Sequence, residues 1–170
     1  MTTLDTELLT TTEPQPSTLA YLHWVLDNLG YDTDRIFHGE ITEQPYEQLL
    51  LSVAKNAKGE DLILRLISAE DVFNSISPSP APEGVTDTFQ FVVNMPLKIS
   101  GDQVEQVTHL AGALNRFVPF GAFAFNEAEG LCFRYSLITL QGQVPAELIV
   151  ETIESTGFFI EKWHRQPFLE

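Results

Sequence analysis

The sequence predicts an α+β fold in which an antiparallel sheet of about five strands has helices packed on it. Short segments with alternating apolar residues indicate strands, and longer segments with apolar residues at three- and four-residue steps indicate helices. The predicted strands follow one another in groups instead of alternating singly with helices, which is typical of antiparallel sheets. The predicted order of elements is α-β-β-β-α-β-β-α.

The N-terminal part of the chain is predicted to contain an arm and a first helix. Residues 1–16 are rich in threonine and end in Glu-Pro-Gln-Pro, so we expect a flexible arm there, followed by a single domain over 17–170. A helix is predicted to begin near Ser17 or Thr18, which can cap its first turn, and to end at Gly30. Its apolar stripe consists of Leu19, Leu22, Leu26 and Leu29.

Three strands are predicted before the middle of the chain. Residues 46–53 and 61–67 are short and apolar, and the polar stretch between them suits a reversal, so they are predicted to pair. Alternating prolines in 77–84 can continue neither a helix nor a sheet, which indicates a surface loop. The third strand alternates with a period of two and ends at Pro96. Its apolar face consists of Phe89, Phe91, Val93 and Met95.

Two further helices are predicted in the second half of the chain. Asp102 and Glu105 have the spacing of a capping box at the start of a helix that stops before Pro119. The last helix is predicted from Pro145, which suits a first helical position. Gly157 interrupts its apolar stripe and is predicted to be a kink or an early stop.

A hairpin is predicted between these two helices, around the acidic turn Asn126-Glu-Ala-Glu-Gly130. Glu127 and Glu129 place two carboxylates close together, but no further oxygen ligand for a cation is within sequence reach. Because Asn126 and Gly130 tolerate positive φ, a solvated turn is favoured over a metal site. The paired arms carry Phe123, Phe125, Leu131, Phe133, Tyr135 and Leu137.

The composition argues against several classes of partner and of chemistry. Nine lysines and arginines against 24 acidic residues give a net charge of −15, which repels nucleic acid and anionic membrane surfaces. The single cysteine, Cys132, cannot form an internal disulfide, which fits a cytoplasmic protein. Its strand offers only Arg134 to activate it, so we expect a buried or half-buried thiol and not a nucleophile. No histidine has a partner at metal spacing and no glycine-rich phosphate loop occurs, so no catalytic residue, metal or cofactor is predicted.

Three arginines interrupt otherwise apolar segments, namely Arg65, Arg116 and Arg134. One interpretation is that each pairs with a carboxylate of the chain. The alternative is that Arg65 and Arg134 lie on one face of the sheet and bind an acidic group of a partner. The first interpretation is favoured, because the chain has many carboxylates and few cations.

Aromatic residues mark a second apolar side on the first helix. Tyr21 and Trp24 lie off its leucine stripe, so this side is expected to be buried in the same core, against a second copy or against a partner. Trp163, near the end of the last helix, is a further candidate. The predicted partner or dimer surface comprises Tyr21, Trp24, Arg65, Arg134 and Trp163.

The chain resembles the YbjN-like family and, more widely, the type III secretion chaperone-like fold. The resemblance extends over 17–165 in topology and over 88–165 in sequence. It is carried by Phe91-Val-Val-Asn-Met-Pro-Leu97, Leu114-Asn115-Arg116-Phe117, Gly121, the acidic turn, Phe133-Arg-Tyr-Ser-Leu137 and Pro145. The resemblance implies a small, acidic, cytoplasmic and often dimeric protein that holds an extended segment of another protein. The threonine-rich arm and the proline-rich loop depart from the family pattern.

We therefore expect a non-enzymatic protein-binding, regulatory or chaperone-like module that forms a homodimer. Two alternatives stay open. A small-molecule-binding protein or an enzyme would gather sequence-distant residues in an enclosed polar pocket. A structural subunit of a larger complex would co-purify with that complex at fixed stoichiometry.

Overall fold

The chain forms a six-stranded antiparallel sheet with helices on both of its faces. The computed structural model describes residues 19–37, 46–56, 58–79, 88–97, 99–126, 129–139 and 145–164. The elements are α1 (Leu19–Asn28), β1 (Thr33–Ile36), β2 (Gln48–Lys55), β3 (Asp61–Ser68), α2 (Ala69–Ile76), β4 (Thr88–Asn94), a 3₁₀ turn (Gly101–Gln103), α3 (Val104–Leu114), β5 (Ala122–Asn126), β6 (Gly130–Ile138) and α4 (Ala146–His164). The strand order is β1-β2-β3-β4-β6-β5, and neighbouring strands are antiparallel.

The predicted antiparallel α+β fold is confirmed, and the structure adds β1 and α2 to it. β1 is a short edge strand whose sequence, Thr-Asp-Arg-Ile, lacks the apolar alternation by which strands are recognised. None of the residues of α2 is fully buried. That helix begins after Ser68, whose hydroxyl oxygen accepts a hydrogen bond from the Asp71 amide at 3.5 Å. The predicted arm over 1–16 and most of the predicted loop over 77–84 lie outside the described residues.

The main core lies between one face of the sheet and the three helices α1, α3 and α4, which together are called the helix layer. Alternate side chains of the strands point into this core, as the period of two requires. Its largest fully buried side chains are Phe91, Phe133, Leu22, Leu26, Leu49, Leu51, Leu64, Leu66, Leu131, Ile149, Ile153 and Ile160. Burying one such side chain stabilises the fold by about 1.5–3 kcal/mol relative to leaving it exposed.

The opposite face of the sheet carries a second, smaller cluster. Ile67, Val92 and Cys132 are buried there, and Val72 of α2 packs against them. The predicted burial of the Cys132 thiol is confirmed. At the end of β6, Ile138 on this face is 74% exposed. The two faces of the sheet therefore bury different amounts of apolar surface. The face under the helix layer carries the large core, and the face under α2 carries the small cluster.

Helix α4 makes a close approach to the sheet at Gly157. A Cβ atom on this residue would lie 2.6 Å from the carbonyl oxygen of Val53. Val53 belongs to a bulge in β2, where the pairing register with β3 shifts between Ser52 and Ala54. Because α4 continues through Gly157 to His164, the predicted early stop is wrong. The glycine lets the helix lie directly on the bulge.

The outer edge of β5 is partly closed by the side chain of Asn115. The amide group of Asn115 donates to the carbonyl oxygen of Phe123 at 2.9 Å and accepts from the Phe123 amide at 2.6 Å. An added strand would otherwise use these two backbone groups. Asn115 is itself the C-cap of α3, where its backbone amide bonds to the carbonyl oxygen of Ala111. The residue that ends the helix thus also protects the edge strand.

Replacing Gly157 by alanine is expected to destabilise the protein, although alanine is the better helix former. The gain in helix propensity is about 1 kcal/mol. A methyl group forced against the backbone of Val53 is expected to cost more than that gain, since overpacking costs about 1–3 kcal/mol and a backbone atom yields little. Urea unfolding measures the change.

Gly112→Ala in α3 is the matched control for this substitution. A Cβ atom at that position would meet no atom within 4 Å. The control is therefore expected to gain up to about 1 kcal/mol. If Gly157→Ala proved as stable as Gly112→Ala, the argument from close packing would be refuted.

Replacing Asn115 by alanine is expected to lower the free energy of unfolding by about 1–3 kcal/mol, because both backbone groups of Phe123 lose their partner. The opened edge of β5 should also increase self-association, which light scattering measures. Asn28→Ala is the control, since the Asn28 amide bonds only locally to the carbonyl oxygen of Trp24 in α1. Equal effects of the two substitutions on association would contradict a protective role of Asn115.

Candidate protein-binding surfaces

The predicted site residues lie on both sides of the sheet. Tyr21 and Trp24 belong to α1 in the helix layer, whereas Arg65 of β3 and Arg134 of β6 lie on the opposite face. Trp163 lies in the last turn of α4, and its side chain is outside the described residues. The predicted residues therefore do not form one continuous surface.

Arg65 and Arg134 share one face because both lie beside Val92 of the strand between them. Val92 pairs with Arg65 on one side and with Arg134 on the other. The carboxylate of Glu129, from the turn between β5 and β6, reaches over this face and joins the two arginines. Its Oε1 accepts from Arg65 at 3.2 Å and its Oε2 accepts from Arg134 at 2.6 Å. Arg65 also donates to the Asn94 side chain at 3.0 Å.

The contacts of Glu129 with Arg65 and Arg134, here called the arginine bridge, favour the ionised form of Glu129. Partial burial alone would raise the pKa of the Glu129 carboxyl, but hydrogen bonds and charges from Arg65 and then Arg134 outweigh it and hold the pKa below its ordinary value. Burial acts to lower the pKa of Arg134, and its contacts with Cys132 and Glu129 reverse that effect and raise it. The acidic group that the two arginines bind is thus the chain's own, and an acidic group of a partner would have to displace it.

The acidic turn between β5 and β6 has the predicted backbone conformation at Gly130, but the side chain of Glu129 differs from the prediction. Gly130 has a φ of +75°, the left-handed conformation for which glycine was predicted there. The side chain of Glu129 is not simply solvated, since it is only 24% exposed and folds back onto the sheet. Glu127 lies outside the described residues.

On the helix layer, α1 presents an aromatic pair to solvent. The rings of Tyr21 and Trp24 are stacked, with centroids 6.2 Å apart and an angle of 29° between their planes. Tyr21 is half-buried and packs against the main core, whereas Trp24 is 52% exposed. A tryptophan that is half-exposed and held by a neighbouring ring offers a large apolar contact with little loss of side-chain entropy.

A cleft of about 290 Å³ lies between the end of α1 and the first half of α4. It is lined by Leu29, Gly30, Tyr31, Glu147, Val150, Glu151 and Glu154. Leu29 and Val150 are half-buried and provide apolar walls, and the three glutamates are exposed. The cleft is therefore apolar inside and acidic at its rim.

Tyr31 links the two sides of this cleft. Its hydroxyl donates to Oε1 of Glu154 at 3.0 Å. Burial, followed by the hydrogen bond and the charge of Glu154, raises the pKa of Tyr31 to about 12. The phenol is protonated at neutral pH, as an ordinary tyrosine is, and can donate this hydrogen bond to Glu154.

The exposed side of α4 continues beyond the cleft with Phe158, which follows Glu154 by four residues and is 65% exposed. The Lys162 ammonium lies 5.4 Å from the centre of the Phe158 ring. A smaller depression of about 190 Å³ flanks the other side of Glu151, between α4 and the rings of Phe120 and Tyr135. The outer side of α4 thus combines carboxylates, an exposed ring and two concave areas.

Sequence reasoning did not find the cleft, because its two walls are more than a hundred positions apart in the chain. The signal that was present is the three- and four-residue spacing of Glu147, Glu151 and Glu154, which places them on one side of a helix. Nothing in the sequence indicated that Gly30 and Tyr31 would lie against that side.

The described residues contain neither a metal-binding cluster nor a membrane-spanning helix. Within the described ranges, no three His, Cys, Asp or Glu side chains are grouped so that they could hold a metal ion. None of the helices that the structure describes is long and apolar enough to cross a lipid bilayer.

These features define an antiparallel α+β protein whose helix layer offers apolar and acidic groups at its surface. No protein-family model and no curated protein matches the sequence. Among solved structures, the chain is similar to the crystal structure of YbjN from E. coli, a candidate transcription regulator, with 15% sequence identity and a TM-score of 0.48 over 88% of this chain and 93% of that chain. The likeness is one of fold alone.

Replacing Glu129 by glutamine is expected to lower the free energy of unfolding by about 1 kcal/mol near neutral pH, because both arginines lose an anionic partner that water already screens in part. The folded-state pKa of Glu129 is below its ordinary value. Its contribution is therefore present above the unfolded-state pKa and is lost as the pH falls through the folded-state pKa. Unfolding curves of the wild type and the variant should differ near neutral pH and converge in acid.

Glu105→Gln on α3 is the control for this prediction, since the Glu105 side chain is 91% exposed. It is expected to change stability little at either pH. A deficit of Glu129→Gln that persisted unchanged in acid would show that the stabilisation is not ionic.

Proposed function

We propose that this protein is a non-enzymatic binding module that receives a segment of another polypeptide on the outer surface of its helix layer. The observation that carries the proposal is the cleft between the end of α1 and α4, which is concave, apolar inside and open to solvent. Such a groove accepts the side chain of a partner segment that lies across the helices.

Exposed aromatic side chains on the same layer support this proposal. Trp24 on α1 is 52% exposed and Phe158 on α4 is 65% exposed. Aromatic residues are enriched among the few interface residues that contribute most to protein–protein affinity. The helix layer therefore offers anchors on both helices that form the cleft.

The helix layer fits a polypeptide better than the edge of β5 does. Asn115 already occupies both backbone groups of Phe123 on that edge. A partner strand adding to β5 would have to displace this side chain before it gained its own main-chain hydrogen bonds. Contacts with side chains of the helices need no such exchange.

The small-molecule alternative has less support from the cleft. Its volume of about 290 Å³ is at the lower end of the roughly 300–1,000 Å³ of small-molecule sites. It is also open and not the enclosed polar pocket that this alternative requires.

A large net negative charge, −15, further favours a polypeptide partner over nucleic acid or a membrane surface.

Self-association and membership of a larger complex stay predictions within this proposal. A second copy of the chain is a polypeptide too, and the exposed anchors Trp24 and Phe158 would serve a homodimer as well as a heterologous complex. Analytical ultracentrifugation of the purified protein distinguishes a dimer from a monomer. Co-purification at fixed stoichiometry would identify a subunit role.

The proposal is tested by affinity capture from the native host, followed by mass spectrometry, with three forms of the protein. The first is the wild type, and the second is Trp24→Ala combined with Phe158→Ala. The third, Ile138→Ala on the opposite face of the sheet, removes a side chain that is 74% exposed and serves as the control. Thermal melting verifies that each form is folded.

We expect one or more proteins to be recovered with the wild type and with Ile138→Ala and to be lost, by about tenfold or more, with the double variant. Loss of a dimer in the double variant alone would support the same surface with a second copy as partner. A monomer that recovers no protein above background, or recovers the same proteins in all three forms, would contradict the proposal.

A further inference from the structure

The cleft between α1 and α4 has a chemistry that selects among polypeptide partners. Its inner walls come from Leu29 and Val150, and Gly30 contributes no side chain to obstruct it. Three carboxylates, Glu147, Glu151 and Glu154, also line it. The occupant must therefore combine an apolar stem with a charge at its end.

We propose that this cleft receives a lysine or arginine side chain from a basic segment of the partner polypeptide. The inference rests on the proposed function and names the chemistry of the partner. The methylene stem of the side chain lies between Leu29 and Val150, and its cationic head lies among the three glutamates.

Apolar walls suit lysine and arginine because both carry several methylene groups before the charge. These stems are commonly buried along apolar surfaces while the charged head stays in contact with water or with acidic groups. A cleft that is open at its rim permits this arrangement. A glutamate or aspartate side chain from a partner would meet three like charges at the same place.

The carboxylates at the rim of the cleft have no cationic partner among the described residues. Within the part of the chain that the structure describes, Glu147, Glu151 and Glu154 form no ion pair. Like charges three and four residues apart on a helix destabilise it slightly, and a cation bound among them removes that repulsion. This distinguishes the cleft from the arginine bridge, where Glu129 is already neutralised by Arg65 and Arg134.

Tyr31 helps to position one of the three carboxylates that line the cleft. Its hydroxyl donates to Oε1 of Glu154, and this hydrogen bond favours a position of the carboxylate beside the cleft. The tyrosine ring itself packs against the main core. One of the three anionic groups is therefore already in place before a partner arrives, which reduces the entropy lost on binding.

The test must separate binding in the cleft from attraction to the charge of the whole molecule, because a protein with a net charge of −15 attracts any basic peptide. The probe is a short fluorescein-labelled peptide in which lysine alternates with serine. Its affinity is measured by fluorescence anisotropy at physiological ionic strength. A peptide with the lysines replaced by glutamine serves as the uncharged reference.

Three forms of the protein are compared with the wild type. The first carries Glu147→Gln, Glu151→Gln and Glu154→Gln. The second removes the same number of charges from exposed positions outside the cleft, by Asp34→Asn, Glu60→Gln and Glu105→Gln. The third, Val150→Phe, narrows the cleft and leaves every charge in place. Thermal melting of each form verifies that it is folded.

We expect the cleft triple variant to bind the lysine peptide about tenfold more weakly than the wild type. The control triple variant should lose about twofold. Val150→Phe should resemble the cleft triple variant. The glutamine peptide should bind weakly to every form.

Three results would overturn the inference. These are equal losses in the two triple variants, undiminished binding by Val150→Phe, and no binding of the lysine peptide to the wild type. Each leaves the proposed function intact if partner capture still depends on Trp24 and Phe158. Conversely, selective binding of the lysine peptide without a captured partner would support the chemistry of the cleft and contradict the wider role of the helix layer.

Discussion

The seating of α4 on the bulge of β2 is the contact on which the rest of the structure depends. Because Gly157 has no side chain, the helix lies against the carbonyl oxygen of Val53. This position places Ile149, Ile153 and Ile160 in the core, where each is at most 2% exposed. The same rotation of the helix turns its glutamates outward and sets them against the end of α1. The close contact at Gly157 thus belongs to the same packing that buries the isoleucines of α4 and leaves its glutamates exposed.

Hydrophobic periodicity predicted the strands and helices that bury a complete face, and it did not predict those that do not. β2, β3, β4 and β6 were recognised because their alternate residues belong to the main core. β1 lacks apolar alternation, so it could not be recognised without the neighbouring strands. In α2, Ala69, Val72, Phe73 and Ile76 do have helical spacing, but the helix is only eight residues long, which is too short for such a pattern to identify a helix by itself. Gly157 was misinterpreted as a helix stop because helix propensity describes only the preference of a residue for a helix. It contains no information about the strand on which the helix packs.

The candidate sites were predicted less completely than the fold, because each is formed by residues that are distant in sequence. The alternation of side chains in strands was enough to place Arg65 and Arg134 on one face of the sheet. It did not reveal that Glu129, which was assigned to a solvated turn, would reach back between them. Likewise, Tyr31 and Glu154 are separated by more than a hundred residues, and only the folded chain brings their side chains within a hydrogen bond.

The distribution of charge over the two sides of the sheet gives the helix layer its distinct character. On the opposite face, the guanidinium groups of Arg65 and Arg134 both contact the Glu129 carboxylate, so the negative charge of Glu129 is balanced within the chain. Along α4, three carboxylates adjoin an apolar cleft, and their described contact is a neutral phenol that donates a hydrogen bond to one of them. A phenol fixes the position of a carboxylate without neutralising its charge. Exposed carboxylates of α4 therefore lie beside a concave apolar surface, where an incoming cation would gain from both.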